Sequence, residues 1–367
     1  MIAALRAGGV DASIVATDAD GPGRLPVDLG TETMFQGVPV RFFSCQASES
    51  FKWSRPLASW LHSQVHAFDL VHVHAVFSHS SIAAGRACRA AGVPYIVRPL
   101  GTLDPWSLSR HAWRKRLLLR VAVRSLLSGA VAMHYTSDGE ARLAETALPW
   151  LPAPVVVPLG VDEQLFAESP ADVESNTRTP YVLAMSRLDP KKGIEVLIDA
   201  FHHLIAQSPR SPWSLVVAGD GNPDYVKRLR SAAEQGAGAS RIAFRGWVEG
   251  QERAQLLRGA SLFALPSHQE NFGIAMVEAL AAGVPAMVAP GVNLGADIES
   301  AGAGWVVSRD RTVWRNALLA VTADEGERQR RAACAREYAR RFHWSAVAAS
   351  LDTLYKALAA HRLVSAT

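Results

Sequence analysis

The sequence predicts an α/β protein built from two successive doubly wound domains, and three observations carry that prediction. Short β-rich apolar runs alternate with longer stretches of i, i+3, i+4 apolar spacing, the pattern of a parallel sheet covered by helices on both faces. The alternation stops in an aperiodic polar stretch at 168–179 and then begins afresh. The chain is long enough, at 367 residues and 49% hydrophobic, to fill more than one core. No apolar run reaches the ~20 residues that a membrane-spanning helix needs.

In chain order, the first domain (1–167) reads as strands at 12–17, 70–73, 95–97, 130–134 and 155–157. Helices are expected at 57–66, 80–91, 113–127 and 139–147. Residues 3–7 look like the last turns of a helix ahead of Gly8-Gly9, with no strand before them. A doubly wound domain normally opens on a central strand, so this domain is read as incomplete at its start. After the linker at 168–179, the second domain (180–343) is expected to place strands at 181–185, 214–218, 242–244, 262–265, 285–288 and 305–307. A long helical tail at 336–360, broken near His343 and Trp344, leaves 344–367 as a C-terminal helix expected to pack back toward the first domain. No internal repeat is present.

Composition excludes several classes. With 8% aromatic and 20% charged residues the chain is not collagen-like, coiled-coil or low-complexity. Cys45, Cys88 and Cys334 lie far apart without Cys-x-x-Cys spacing, against a disulfide framework and against structural zinc. That usage suits a reducing, cytoplasmic setting. The net charge of +4 arises wholly in residues 1–150, where 15 basic residues meet 11 acidic ones. Much of it sits in Arg110, Arg114, Lys115, Arg116, Arg120 and Arg124, with no acidic residue between Asp104 and Asp138. Such a stripe points to an anionic membrane surface or a phosphate-bearing substrate rather than to nucleic acid. Trp113, Leu117, Leu118, Val121 and Leu127 interleave with it, so the stretch reads equally as an interfacial helix and as a sheet-covering helix with a solvated cationic face.

Three clusters can carry chemistry. In PSHQENFGIAMVEALAAGVP (266–285), Glu270 and Glu278 flank Phe272-Gly273-Ile274 at a turn into a helix. A glycine there lets a ligand approach the backbone, and the helix N-terminus favours an anion or a row of hydroxyls. Taken alone, Glu270 as a cap and Glu278 as a solvated helix residue is the better account. In SRLDPKKG (186–193), Arg187 and Lys192 follow a strand end and can clamp a diphosphate; an exposed basic turn would look the same. Gly219-Asp220-Gly221-Asn222 follows the next strand but lacks the third glycine of a dinucleotide fingerprint.

The order of VVPLGVDEQLF (156–166), LAMSRLDPKKGIEVLIDAF (183–201), LVVAGDG (215–221), IAFRGWV (242–248) and the glutamate segment resembles the retaining, nucleotide-sugar-dependent glycosyltransferases of the GT-B fold, the group often called family 4 or group 1. The resemblance implies two Rossmann-like domains facing a cleft. It gives Arg187 and Lys192 the donor diphosphate, Glu270 the transferred sugar beside the Phe272, Gly273 and Ile274 backbone, Glu278 the ribose and Val248 a place near the base, while the Gly219 loop, on its own residues, can pass close to a phosphate. It also implies a UDP- or GDP-sugar as co-substrate, no further cofactor, no metal and retention, with front-face transfer favoured over a covalent Glu270 intermediate. Val71 to Arg110 looks like the acceptor domain of bacterial exopolysaccharide and lipopolysaccharide enzymes, which implies a saccharide or lipid-linked acceptor and work in the cytoplasm at the inner face of the plasma membrane. His74, Arg98 and Asp104, with Trp106, would line the acceptor pocket; a structural His74 and a salt-bridged Arg98–Asp104 turn account for them as well. Two departures stand out. Leu100 occupies a place where many relatives have histidine, and the family's opening strand and glycine-rich loop have no counterpart before Met1, so the chain is expected to be truncated at its start. A binding protein without turnover, or a truncated transferase, is the alternative. A nucleotide-sugar epimerase of the same architecture comes third.

Overall fold

The computed structural model describes residues 1–48, 50–109, 112–167 and 179–365. Of the expected linker at 168–179, all but Thr179 lies outside the described residues, as does Arg110 at the start of the basic stretch. By Cα proximity the chain forms two compact units, Met1–Pro158 with Trp344–Thr367, and Leu159–His343.

The first unit opens with the helix Ile2–Ala7 and then the strand β1 (Ile14–Thr17). A small hairpin follows, β2 (Ala19–Asp20) with β3 (Gly23–Arg24), then β4 (Glu32–Phe35) and β5 (Val38–Phe43). β5 lies between β1, to which it is parallel, and β4, to which it is antiparallel. None of β2 to β5 was expected. VPVRFF has no clean alternation, because four of its six residues are buried, and Gln36-Gly37 makes a tight turn with both residues at positive φ. A second sheet holds β6 (Val71–His74), β7 (Tyr95–Arg98), β8 (Ala132–Tyr135) and β9 (Pro154–Val156), all parallel and in sequence order. The strand expected at 130–134 therefore begins and ends slightly later. Among the described residues no strand bridges β1 and β6, and the two sheets stay separate.

One face of β6–β9 is apolar: Val73, Tyr95, Val97, Met133 and Tyr135 pack under the helices Arg55–Gln64 and His79–Ala91 and the segment Arg124–Ser128. Ser54 and Ser78 start the two helices by accepting from the backbone N–H groups of Leu57 and Ser81. The other face is partly covered by the first helix and by the last, Trp344–Ser365. Trp344, Val347, Ala348, Leu351 and Tyr355 of that last helix, one face at helical spacing, pack with Leu5, Val155 and Val157. The stretch read as one helix over 113–127 is three pieces, Ala112–Leu118, a π turn Leu119–Val123, and Arg124–Ser128. Leu118, Leu119, Val123, Leu126 and Leu127 turn to the core while Trp113, Leu117 and Val121 stay in water, so the supposed single apolar stripe divides between two faces.

The second unit is one six-stranded parallel sheet: β10 (Tyr181–Met185), β11 (Ser214–Ala218), β12 (Ile242–Gly246), β13 (Leu262–Leu265), β14 (Ala286–Val288) and β15 (Gly304–Val306). Its spatial order is β12-β11-β10-β13-β14-β15. The central strands are apolar on both sides, as a sheet covered twice requires; Val182, Leu183, Phe263 and Ala264 are all fully buried. The tail expected at 336–360 is two helices, Glu325–Ala339 and Trp344–Ser365, joined by a short 3-10 turn.

Candidate functional site

The second unit's strand order reverses between β10 and β13, which are hydrogen-bonded neighbours. In open α/β sheets the crevice outside the carboxyl ends of such strands takes the ligand. The two loops that leave β10 and β13 there carry Arg187 and Lys192 on one side and Glu270 on the other.

After β10 the backbone runs against the loop that follows β11. Ser186 N–H donates to the Ala218 carbonyl (3.1 Å), and Leu188 N–H to that of Asp220 (2.8 Å). Gly219 sits at φ +128°, and a Cβ there would overlap the Ser186 carbonyl oxygen. This glycine therefore lets two backbones touch. Arg187 is exposed, and its guanidinium has no hydrogen bond or ion pair among the described residues. Asp189 starts the turn Pro190–Lys192 by accepting from Lys191 N–H (2.9 Å). That turn delivers Lys192, whose ammonium pairs with the Glu270 carboxylate while both side chains stay mostly shielded.

Glu270 is pinned through its backbone. Its N–H donates to the Gly291 carbonyl (2.8 Å), and its carbonyl accepts from Asn293 N–H (3.1 Å). Gly273, at φ +76°, turns the chain into the helix Ile274–Ala281, which has no side-chain cap. The first-turn N–H groups and the positive dipole end thus lie beside the Lys192–Glu270 pair. Phe272 is buried edge-on against Phe342, with ring centroids 5.7 Å apart, and Ile274 is partly exposed. Glu278 is not the solvated residue of the simpler reading: only 4% of it is accessible, and it pairs with Arg253. Burial raises its pKa and the Arg253 charge opposes that rise. Val248 is buried in the same apolar cluster as Phe272. Arg253 and Asn293 escaped the sequence reading, since neither stands in a recognisable motif.

In the first unit the register sets His74, Arg98 and His134 side by side across β6, β7 and β8. His72 is two residues before His74 and so shares its face. His134 and His72 are hydrogen-bonded in series, and His74 stacks at a tilt on His72 with ring centroids 4.4 Å apart. His134 Nε2 faces the Val157 carbonyl (2.8 Å), its Nδ1 meets His72 Nε2 (3.1 Å), and His72 Nδ1 meets the Tyr355 hydroxyl (2.7 Å). A carbonyl only accepts, so His134 Nε2 donates, His72 Nε2 donates to His134, and Tyr355 donates to His72. Burial, with the Arg98 charge nearby, keeps the histidines neutral, pushing His134 down to about 4. His74 is the member open to solvent; crowding by protein and then Arg98 lower it to about 4 as well. Asp104 does not join this group. Its carboxylate accepts from Ser107 N–H (2.7 Å) and Ser107 Oγ (2.8 Å), holding the short helix Pro105–Ser109. No Arg98–Asp104 ion pair forms among the described residues, so the salt-bridged turn is corrected. Leu100, with φ +57°, is exposed beside Gly101.

Comparison with known proteins decides the family. The family described as "Glycosyl transferases group 1" matches residues 166–340, and "Glycosyl transferase 4-like domain" matches residues 1–160. A D-inositol 3-phosphate glycosyltransferase of Stackebrandtia nassauensis is 30% identical over 317 residues, 81% of this chain and 70% of that protein. The chain belongs to the group 1 glycosyltransferases. Another D-inositol 3-phosphate glycosyltransferase, of Xylanimonas cellulosilytica, is 33% identical over 54% of this group 1 chain and 50% of its own length. For the phosphatidyl-myo-inositol mannosyltransferase of Mycobacterium tuberculosis the figures are 31%, 56% and 54%, so the chain spans about half the length of these two curated relatives. Among solved structures, HepE of Anabaena in complex with UDP and glucose superposes with a TM-score of 0.72 at 22% identity, covering 97% of this chain and 94% of that one. Sucrose-phosphate synthase of Thermosynechococcus elongatus gives 0.74 at 21% identity, over 98% and 91%. The fold of this group 1 glycosyltransferase is GT-B, two Rossmann-like α/β units. Among the described residues no helix is long and apolar enough to cross a membrane.

Proposed function

We propose that this chain transfers a sugar from a UDP- or GDP-sugar to a saccharide acceptor, lipid-linked and part of cell-surface polysaccharide assembly, with retention of anomeric configuration. The observation that carries this reading is the Lys192–Glu270 pair at the uncapped N-terminus of Ile274–Ala281. When the donor's C–O bond breaks, negative charge grows on the leaving diphosphate. In this reading Arg187, Lys192 and the helix N-terminus meet that charge, and no metal ion is needed. The acceptor oxygen then bonds to the anomeric carbon on the same face, and its proton passes to the departing phosphate oxygen. Glu270, held by Lys192 and by its own backbone, orients the sugar; Glu278, sealed against Arg253, takes ribose hydroxyls.

Support for the donor comes from HepE, which was solved with UDP and with UDP-glucose. Support for an acceptor near a membrane comes from the mannosyltransferase named for phosphatidyl-myo-inositol and from the outward Trp113, Leu117 and Val121 beside exposed arginines. The enzyme works in this reading in the cytoplasm, on the inner face of the membrane. The test is thermal denaturation of the full chain with UDP, GDP and ADP and their sugar conjugates, because a ligand of the native state raises the melting temperature by mass action. One nucleotide series is expected to stabilise the protein, and Lys192→Ala to remove the effect. A folded protein indifferent to all three series would sink the donor assignment.

A further inference from the structure

Arg98 ends β7 and is only 4% accessible, yet its Nε and Nη2 have no hydrogen-bond partner among the described residues. Buried guanidinium groups are ordinarily paired, because an uncompensated charge inside a protein is costly. The Glu140 charge reaches Arg98 and offsets only part of the cost of burying it, and its oxygens are bonded elsewhere. Glu140 accepts from Gly101 N–H (2.7 Å), Thr136 N–H (2.8 Å) and Thr136 Oγ1 (2.7 Å), and Asp104 accepts from Ser107. The groups nearest along the sheet, His74 and His134, are neutral and lend no negative charge. The backbone leaves β6 and β7 through Ala75 and Leu100, both at positive φ, a conformation that side chains adopt only when the surroundings force it.

We infer that Arg98, flanked by His74 and His134, is the seat of an oxyanion carried by the acceptor, either a phosphate ester or a uronate carboxylate. This rests on the reading of the first unit as the acceptor-binding half, and it adds the acceptor's charge. The planar fork of a guanidinium meets two oxygens of either group at once. The neutral His74 ring beside it, exposed to solvent, supplies an N–H donor, while His134 spends its own on the Val157 carbonyl.

A site residue whose burial is only partly compensated in the free protein carries a signature that a structural arginine lacks: replacing it stabilises the fold. Melting temperatures of the full chain and of Arg98→Met and Arg98→Gln are compared with UDP present, so that diphosphate contacts are already filled. Inorganic phosphate and glucuronate are then added separately at fixed ionic strength. At least one variant is expected to melt ~2–4 °C above the native chain without added anion. The native chain is expected to gain stability from one of the two probes, and both variants to lose that response. Phosphate acting alone names a phosphate ester; glucuronate acting alone names a carboxylate. If both variants melt below the native chain or fail to fold, Arg98 is structural and the inference falls. It falls too if neither probe shifts the native chain while UDP does. Failure of UDP itself to shift the native chain counts against the donor reading instead, and the Arg98-dependence of the phosphate and glucuronate responses still decides this one.

Discussion

A carboxylate sealed beneath a helix needs its counter-charge, and Glu278 finds one in Arg253. Removing it by Arg253→Ala should destabilise the protein by ~1–3 kcal/mol at neutral pH. The sign with pH is fixed. Burial already raises Glu278 above its unfolded value, and the variant raises it further, so the folded state holds a proton that the unfolded state gives up. The penalty is therefore smallest in acid and grows as pH climbs through the folded pKa, which urea titrations at pH 4.5 and 7.5 would reveal. At the neighbouring pair, Glu270→Gln should lower turnover by ~10²-fold or more with UDP-induced stabilisation retained, as expected of a group that acts on the sugar. Equal loss of binding and turnover would contradict that division. Gly219→Ala should cost at least ~1 kcal/mol, since it adds a side chain at positive φ against the Ser186 carbonyl. These side chains differ in how readable they were. Arg187, Lys192, Glu270 and Glu278 stand in an ordered run of motifs, whereas Arg253 comes from an unremarkable helix and meets Glu278 only through the packing of Gly250–Gly259 on its neighbour.

Elements show the same unevenness for a physical reason. The central strands β10 and β13 are continuous apolar runs and β12 alternates, and all six strands of the second unit are found from the sequence to within about two residues. β2 to β5 are short, partly exposed and turn-rich, so no period marks them. The segment Ala112–Ser128 was legible as amphipathic but not as two-faced, because its π turn shifts the helical phase midway. Its outward residues, Trp113 (67% accessible), Leu117 (58%) and Val121 (71%), lie four apart among Arg114, Arg116 and Arg120. Trp113→Ser with Leu117→Ser should reduce co-sedimentation with anionic vesicles several-fold while leaving the melting temperature unchanged, and retention of full binding would remove the interfacial reading. His72 and His74 alternate in VHVH, which put them on one face in advance. Their link to Tyr355 spans 283 positions of sequence and could be seen only in three dimensions. Because burial lowers His74 and His134, the unfolded chain binds protons near pH 6.5 that the folded one refuses until about pH 4, and His72 is lowered in the same direction. The first unit should thus lose stability as pH falls through that window, and circular dichroism melts at pH 7, 5.5 and 4.5 would show it.

At the scale of the molecule, the second unit is one uninterrupted stretch, Leu159–His343, whereas the first is assembled from both ends of the chain. Val347, Ala348 and Leu351 of the last helix cover Leu5 and Val157, and Tyr355 completes the histidine series. Deleting 344–367 should therefore melt the first unit and spare the second, read as a surviving UDP response beside a lost low-temperature transition. A single cooperative loss of both would contradict it. Synthesis runs from the other direction. Domains usually complete themselves in the order in which they leave the ribosome. Here the half that emerges first must wait, with Leu5 and Val157 uncovered, until the final helix arrives, and the half that emerges second can close before it. A premature stop between Trp344 and Tyr355 would then disable the part of the protein made earliest, and the nascent first unit would be the species most in need of a chaperone.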